Sequence, residues 1–199
     1  MPDDYSTPKH VFEDVEHLIP KTRCWEAFYH EGKSGQFLRE LGYDVIHENK
    51  DFFTYEPDDY DFIYSNPPFS KLKKVMTRMK ELGKPFVLIL PAPVMNNQYF
   101  GKLFPDDDIQ VIVPPKRINF IKPKDDGKRN HASLDCNYYC WKMNLPTRSA
   151  TAAFLPSCKG NANQSNKYSY WSLLLPQRLS ARSSMWLILV GSHLSMNLC

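Results

Sequence analysis

Residues Tyr60-Asp61-Phe62-Ile63-Tyr64-Ser65-Asn66-Pro67-Pro68-Phe69 decide how the rest of the chain is read. The first five have the β-branched and aromatic character of a strand. Two consecutive prolines then stop it, since each fixes φ and removes a backbone donor. Pro67 also pushes Asn66 toward extended backbone. A strand therefore ends in a rigid turn that presents one side-chain amide, free carbonyls and one aromatic ring. That set suits an exocyclic amino group on a flat ring. The amide oxygen and a proline carbonyl accept the two amino hydrogens, and Phe69 stacks on the ring.

Working outward, the same strand-then-turn grammar recurs. Ser70 reads as the N-cap of a helix with Leu72, Val75, Met76, Met79 and Leu82 on its apolar face, closed by Gly83. Pro85 to Leu90 is a near-continuous apolar run, the signature of a strand buried on both faces of a parallel sheet. Asn96 to Phe104 reads as a short helix, Ile109 to Val113 as a strand, and Ala132 to Met143 as one long last strand. In that strand Leu134, Cys136, Tyr138 and Cys140 share a face. Toward the N-terminus, Lys9 to Ile19 has helical spacing, Cys24 to Phe28 and Tyr43 to His47 read as strands, and Gln36 to Leu41 as the helix between them. Alternating strands and helices imply an α/β domain with a mostly parallel sheet and helices on both faces. Ligands in such sheets sit beyond the carboxyl ends of the strands, where Asn66 lies.

The charge is uneven. The 199 residues hold 22 acidic and 25 basic side chains, a formal net charge of +3. Residues 145–199 carry Arg148, Lys159, Lys167, Arg178 and Arg182 and not one acid, with clumped apolar residues and no periodicity. Two parts are therefore expected: a folded domain over 1–144 and a basic, poorly ordered tail over 145–199. The five cysteines are odd in number and irregularly spaced, which argues against a disulfide framework or a structural zinc site. No apolar run approaches the ~20 residues of a membrane span, and the N-terminal ten residues lack the apolar stretch of a secretory signal. An intracellular protein is expected, with nothing to separate nucleus from cytoplasm.

Asn66-Pro67-Pro68-Phe69 following an apolar strand resembles the catalytic motif of the S-adenosylmethionine-dependent N6-adenine methyltransferases. Trp25 to Gly35 resembles their first, cofactor-binding motif, with Glu26 as its acidic start, Phe28 beside it and Gly32 as its second glycine. Ala27 stands where that motif has proline, and His30 where it has its first glycine. Glu48 matches the acid that contacts the cofactor ribose, and Asp51 and Phe52 match the segment lining the cofactor adenine. Tyr5, Thr7 and Pro8 resemble the extended segment packed over the methionine end. Lys116, Arg117 and Phe120 resemble an Arg-Ile-x-Phe segment near the target nucleotide. The order of these segments, over roughly residues 5–143, is that of phage- and virus-type enzymes.

The resemblance implies a Rossmann-like class I methyltransferase fold, S-adenosylmethionine as cofactor and no metal. It implies transfer of a methyl group to adenine N6 in DNA or RNA, with Asn66, Pro67, Pro68 and Phe69 as the catalytic group. A partner subunit would supply target recognition, since little chain is left for a recognition domain. Two other readings stay open. Protein glutamine N-methyltransferases present the same motif to an amide nitrogen, and a non-catalytic binding module of the same fold would explain Ala27 and His30. Lys71, Lys73, Lys74, Arg78 and Lys80 either hold phosphates or form a solvated helix face.

Overall fold

The computed structural model describes residues 3, 5–105, 109–123, 129–146 and 186–189; for 122–123, 129–133 and 186–189 it describes the backbone alone. The elements in chain order are α1 (Lys9–Glu13), β1 (Arg23–Trp25), α2 (Lys33–Glu40), β2 (Asp44–Ile46), β3 (Phe62–Ser65) and α3 (Leu72–Leu82). They continue as β4 (Phe86–Pro91), α4 (Gln98–Leu103), β5 (Ile109–Val113), β6 (Ile118–Pro123), β7 (Arg129–Leu134), β8 (Cys136–Trp141) and β9 (Trp186–Leu189).

Seven strands form one sheet in the order β2-β1-β3-β4-β8-β5-β9. Strands β1 to β4 run parallel, and β8 enters antiparallel between β4 and β5. Strand order reverses between β1 and β3, so the chain leaves their carboxyl ends in opposite directions and a crevice lies there. The expected Rossmann-like α/β layering is present.

Alternation along the strands builds two cores. On one face Cys24, Tyr64, Val87, Ile89, Tyr138 and Cys140 pack under Val11 and Phe12 of α1 and Leu38 of α2. On the other, Trp25, Ile63, Phe86, Leu88, Tyr139 and Trp141 pack under Val75, Met76 and Met79 of α3 and Phe100 of α4. Each large apolar side chain so buried contributes about 1.5–3 kcal/mol relative to exposure. The shared face of Leu134, Cys136, Tyr138 and Cys140 is present, with Leu134 at its margin.

Four local expectations are corrected. The Lys9–Ile19 helix is one short helix, Lys9–Glu13, followed by turns that still bury Val15 and Ile19. Ser70 is not the N-cap of α3: Phe69–Lys71 form a 3-10 turn and the Ser70 hydroxyl binds Asp3 instead. The long last strand is two strands broken at Asp135. Its first half pairs with β6 as a separate hairpin, and its second half joins the main sheet. That strand also ends at Trp141, because Lys142 takes left-handed backbone (φ 55°).

The segment after β8 is held by a reciprocal clamp, in which Gln110 Nε2 donates to the Leu145 carbonyl and Leu145 N to Gln110 Oε1, both at 2.9 Å. Within 145–199, Trp186–Leu189 lies parallel to β5; residues 147–185 and 190–199, and the expectation of poor order made for them, lie outside the described residues. Among the described residues no helix is long and apolar enough to cross a membrane, and Cys24, Cys136 and Cys140 are buried free thiols.

Candidate functional site

The loops after β1, β2 and β3 converge on a cavity of about 320 Å3. Its floor is an ionic cluster that no local pattern announces. Glu26, the first residue beyond β1, is 1% exposed. Its Oε2 accepts from Ser34 Oγ at 2.9 Å and lies 2.7 Å from His47 Nδ1. Its Oε1 accepts from the Ser65 hydroxyl and, at 3.4 Å, from the Phe28 backbone N–H. A carboxylate has about four acceptor positions, and all are taken. Glu26 therefore ties α2, the end of β2 and the end of β3 to the loop it starts.

The His47 ring is held on two further sides. Tyr29 stacks on it at 4.8 Å between centroids. Gly35 lies so close that a Cβ there would stand 2.3 Å from His47 Cδ2 and 2.7 Å from its Cβ. Gly35→Ala is accordingly expected to destabilise the domain by about 1–3 kcal/mol, read as a lower urea midpoint. A midpoint equal to wild type would mean the ring is free to move away.

Burial opposes the imidazolium of His47, but the hydrogen bond and charge of Glu26 outweigh it and raise the pKa above 6.5. A raised histidine pKa stabilises the fold fully below the unfolded value and loses that stabilisation as pH rises through the folded value. Stability should thus fall by this route as pH rises above about 6.5, the ordinary histidine value. A urea midpoint that stays level over that range would show the pair to be uncharged.

Above this floor stands the turn after β3. Asn66 Nδ2 donates to Thr7 Oγ1 at 2.9 Å, whereas Asn66 Oδ1 is buried without a partner. Pro67, Pro68 and Phe69 line the same cavity. Phe69 meets Phe120 of β6 edge to face, at 6.2 Å and 90°. The N-terminal segment straps across the opening. Ser6 and Ile121 exchange two backbone hydrogen bonds (2.7 and 3.0 Å), and Asp3 Oδ1 accepts the Ser70 N–H at 3.1 Å. At the rim Lys33 Nζ reaches Glu31 Oε2 at 2.5 Å, and that hydrogen bond holds the Glu31 carboxyl below its usual pKa.

Of the residues singled out from sequence, Tyr5, Thr7, Glu26, Phe28, Asp51, Phe52, Asn66, Pro67, Pro68, Phe69 and Phe120 come together at the cavity. Phe28 and Phe52 form one wall, 4.8 Å between centroids, and Asp51 accepts the Phe53 N–H at 3.0 Å. Five stand outside the lining. Pro8 starts α1, and Gly32 precedes α2 in left-handed backbone (φ 78°). Glu48 accepts from Tyr55 Oη at 2.6 Å. Arg117 forms a two-pronged pair with Asp135 (2.5 and 2.7 Å), and Lys116 is exposed beside it.

Of the five cations considered on α3 and the turn before it, Lys71 alone is at the cavity. Arg78 faces Glu56 and Glu81, and Lys80 lies over Trp141. His30 lines the cavity with φ 44°, backbone that residues with a Cβ enter at a cost of about 1–2 kcal/mol. Sequence reasoning missed His47, Ser34 and Ser65. The only local hint was a histidine and two serines at the ends of predicted elements.

No family model matches the chain, and no curated protein matches it. Solved structures with a similar arrangement include a precorrin-6y C5,15-methyltransferase from Geobacter metallireducens. That one is 12% identical with a TM-score of 0.36, over 70% of this chain and 94% of its own. Another is an S-adenosylmethionine-dependent O-methyltransferase from Thermotoga maritima, 14% identical with a TM-score of 0.39, over 71% and 67%. A third is the precorrin-8w decarboxylase of Methanobacterium thermoautotrophicum, 10% identical with a TM-score of 0.36, over 71% and 98%.

Proposed function

We propose that the chain binds S-adenosylmethionine in this cavity and transfers its methyl group to the N6 amino group of adenine in nucleic acid. The observation that carries the reading is Asn66 Oδ1: a buried acceptor without a partner, on the wall of a cavity that also holds Pro67, Pro68 and Phe69. A lone buried acceptor is costly unless a ligand donor completes it. An exocyclic amino group is such a donor, and the adjoining ring gives its base a face to stack on.

The residues present fit the cofactor. A cavity of about 320 Å3 is at the small end of ligand pockets. Phe28 and Phe52 offer an aromatic wall, and Asp51 keeps acceptor capacity beyond its bond to Phe53. These three would hold the adenosine part, with Tyr5 toward the methionine end. Glu26, already saturated, serves by holding the loop. When bound, the cofactor supplies an electrophilic methyl group on a sulfonium.

The chain does the rest by position. The adenine amino lone pair is delocalised into the ring, so its nitrogen is a poor nucleophile. Acceptance of its hydrogens by Asn66 Oδ1 and the Pro67 carbonyl favours a pyramidal nitrogen with a localised pair. Stacking on Phe69 holds that nitrogen in line, and such alignment supplies much of the acceleration in bimolecular transfer. A base paired in a duplex cannot enter this cavity, so it is flipped out or single-stranded. Lys71 at the cavity edge is placed for a backbone phosphate, and target recognition beyond that belongs to a partner subunit.

The test is incubation of the full chain with methyl-labelled cofactor and, in separate arms, single- and double-stranded DNA and RNA or protein extract, followed by digestion to nucleosides or amino acids. Label in N6-methyladenosine is expected. Label in protein glutamine would move the chemistry to a peptide substrate. A specific observation favours the non-catalytic reading as the second choice: His30 lines the cavity where the related motif has glycine. Nucleic-acid or protein binding with neither label nor cofactor affinity would establish that reading.

A further inference from the structure

We propose that Thr7 is a positioning residue, which holds the Asn66 amide by its Nδ2 and leaves Oδ1 as the acceptor left for the substrate amino group; this rests on the reading of Asn66 given above. The resemblance assigns Thr7 to the cofactor, yet its hydroxyl is engaged elsewhere. Asn66 Nδ2 donates to Thr7 Oγ1 at 2.9 Å across 59 positions of sequence, and Thr7 is 8% exposed.

The terminal torsion of an asparagine is broad and roughly two-fold, so packing alone does not choose between its oxygen and its nitrogen. Turned over, the amide would present Nδ2 to a substrate group that also donates, and two donors would meet. A hydroxyl both donates and accepts. In the bond present Thr7 accepts from Nδ2, which ties the amide down and leaves Oδ1 without a protein partner. A purely apolar side chain could satisfy neither orientation.

Thr7 is itself fixed. Ser6 is bonded by its backbone to Ile121 at 2.7 and 3.0 Å, and Pro8 starts α1 immediately after. Further out, the Asp3 carboxylate accepts both the N–H and the hydroxyl of Ser70, four residues beyond Asn66. The strap and the Asn66 turn are thus bonded at two points, and Thr7 is the one that reaches the amide.

Thr7→Val keeps the shape and removes the hydroxyl; Thr7→Ser keeps the hydroxyl. Both are made in the full chain labelled with 15N at asparagine, with Asn66→Asp used to assign the side-chain signal. In Thr7→Val the Asn66 side-chain amide protons are expected to exchange with water at least about tenfold faster, as for a group released from a hydrogen bond. In Thr7→Ser they stay near wild type. Turnover should fall about tenfold in Thr7→Val and recover in Thr7→Ser, with KM for the oligonucleotide and Kd for the cofactor within about twofold of wild type.

Unchanged amide exchange in Thr7→Val overturns the proposal. Loss of cofactor affinity at constant turnover does so too, since Thr7 would then be a cofactor contact. If the wild-type chain methylates no oligonucleotide, the adenine reading fails by itself. Amide exchange then still decides whether Thr7 positions Asn66.

Discussion

Asn66→Ala is expected to lower methyl transfer by about 10²–10³-fold, the usual cost of removing one preorganised group that acts on developing charge. Cofactor affinity should stay within about twofold. The two effects separate because the free atom, Oδ1, is the one without a protein partner, while Phe28, Asp51 and Phe52 belong to the loops after β1 and β2. Truncation also frees Thr7 Oγ1, but that hydroxyl can rotate to another partner. Asn66→Asp retains an acceptor oxygen, and Thr7 can donate to its carboxylate, so it should lie between wild type and Ala. Single-turnover transfer and calorimetric titration of the cofactor give the two readouts. Full turnover in Asn66→Ala would sink the mechanism, and lost cofactor binding would place Asn66 in the cofactor site instead.

The second large effect falls on the fold. Glu26→Ala should destabilise the domain by about 3–5 kcal/mol, the range for breaking one side of a buried ion pair. That is a large share of the roughly 5–15 kcal/mol typical of a whole domain. Removing this carboxylate strips acceptors from Ser65, which is fully buried, from Ser34 and from the Phe28 N–H. It also leaves His47, whose Nε2 is already without a partner, with only the backbone carbonyl of residue 26 at its Nδ1. Glu26→Gln should cost much less, because its carbonyl can still accept from Ser65 and its amide can donate to Ser34 Oγ, while His47 Nδ1 keeps the backbone carbonyl of residue 26. It should also abolish the fall of stability with rising pH that the charged pair produces. Urea unfolding of both variants at about pH 6 and about pH 9 measures all of this. Retention of the pH slope in Glu26→Gln, or near-wild-type stability of Glu26→Ala, would show that the cluster does not bear on the fold.

These two residues differ in how legible they were. Asn66 could be read because its signal is local: a strand, then two prolines that fix the backbone around it. The same holds for β4, whose continuous apolar run announced burial on both faces, and for β5, whose bounds match the reading at both ends. The Ala132–Met143 stretch misled because both halves are good strand sequence. Only pairing partners distinguish a hairpin with β6 from a sheet strand between β4 and β5, and of those partners β4 and β5 lie well upstream in the chain. The helix over Lys9–Ile19 was overextended because Val15 and Ile19 keep a buried face without helical backbone.

Among the site residues the division is the same. Glu26 was identified as an acid after a strand, but not that its carboxylate turns inward to His47, Ser34 and Ser65. Glu48 and Arg117 carried the right chemistry in the right segments, and each is claimed by a neighbour, Tyr55 or Asp135. By itself the chain's order of residues determined where β3 and β5 stop, where the backbone is rigid, and which amide and ring stand at the end of β3. Those outcomes follow from torsional restriction and apolar periodicity within a few residues. Tertiary structure alone decided which polar group satisfies which. Hydrogen-bond partners 21, 39 and 59 positions apart meet only after the sheet has folded and closed the distance between them.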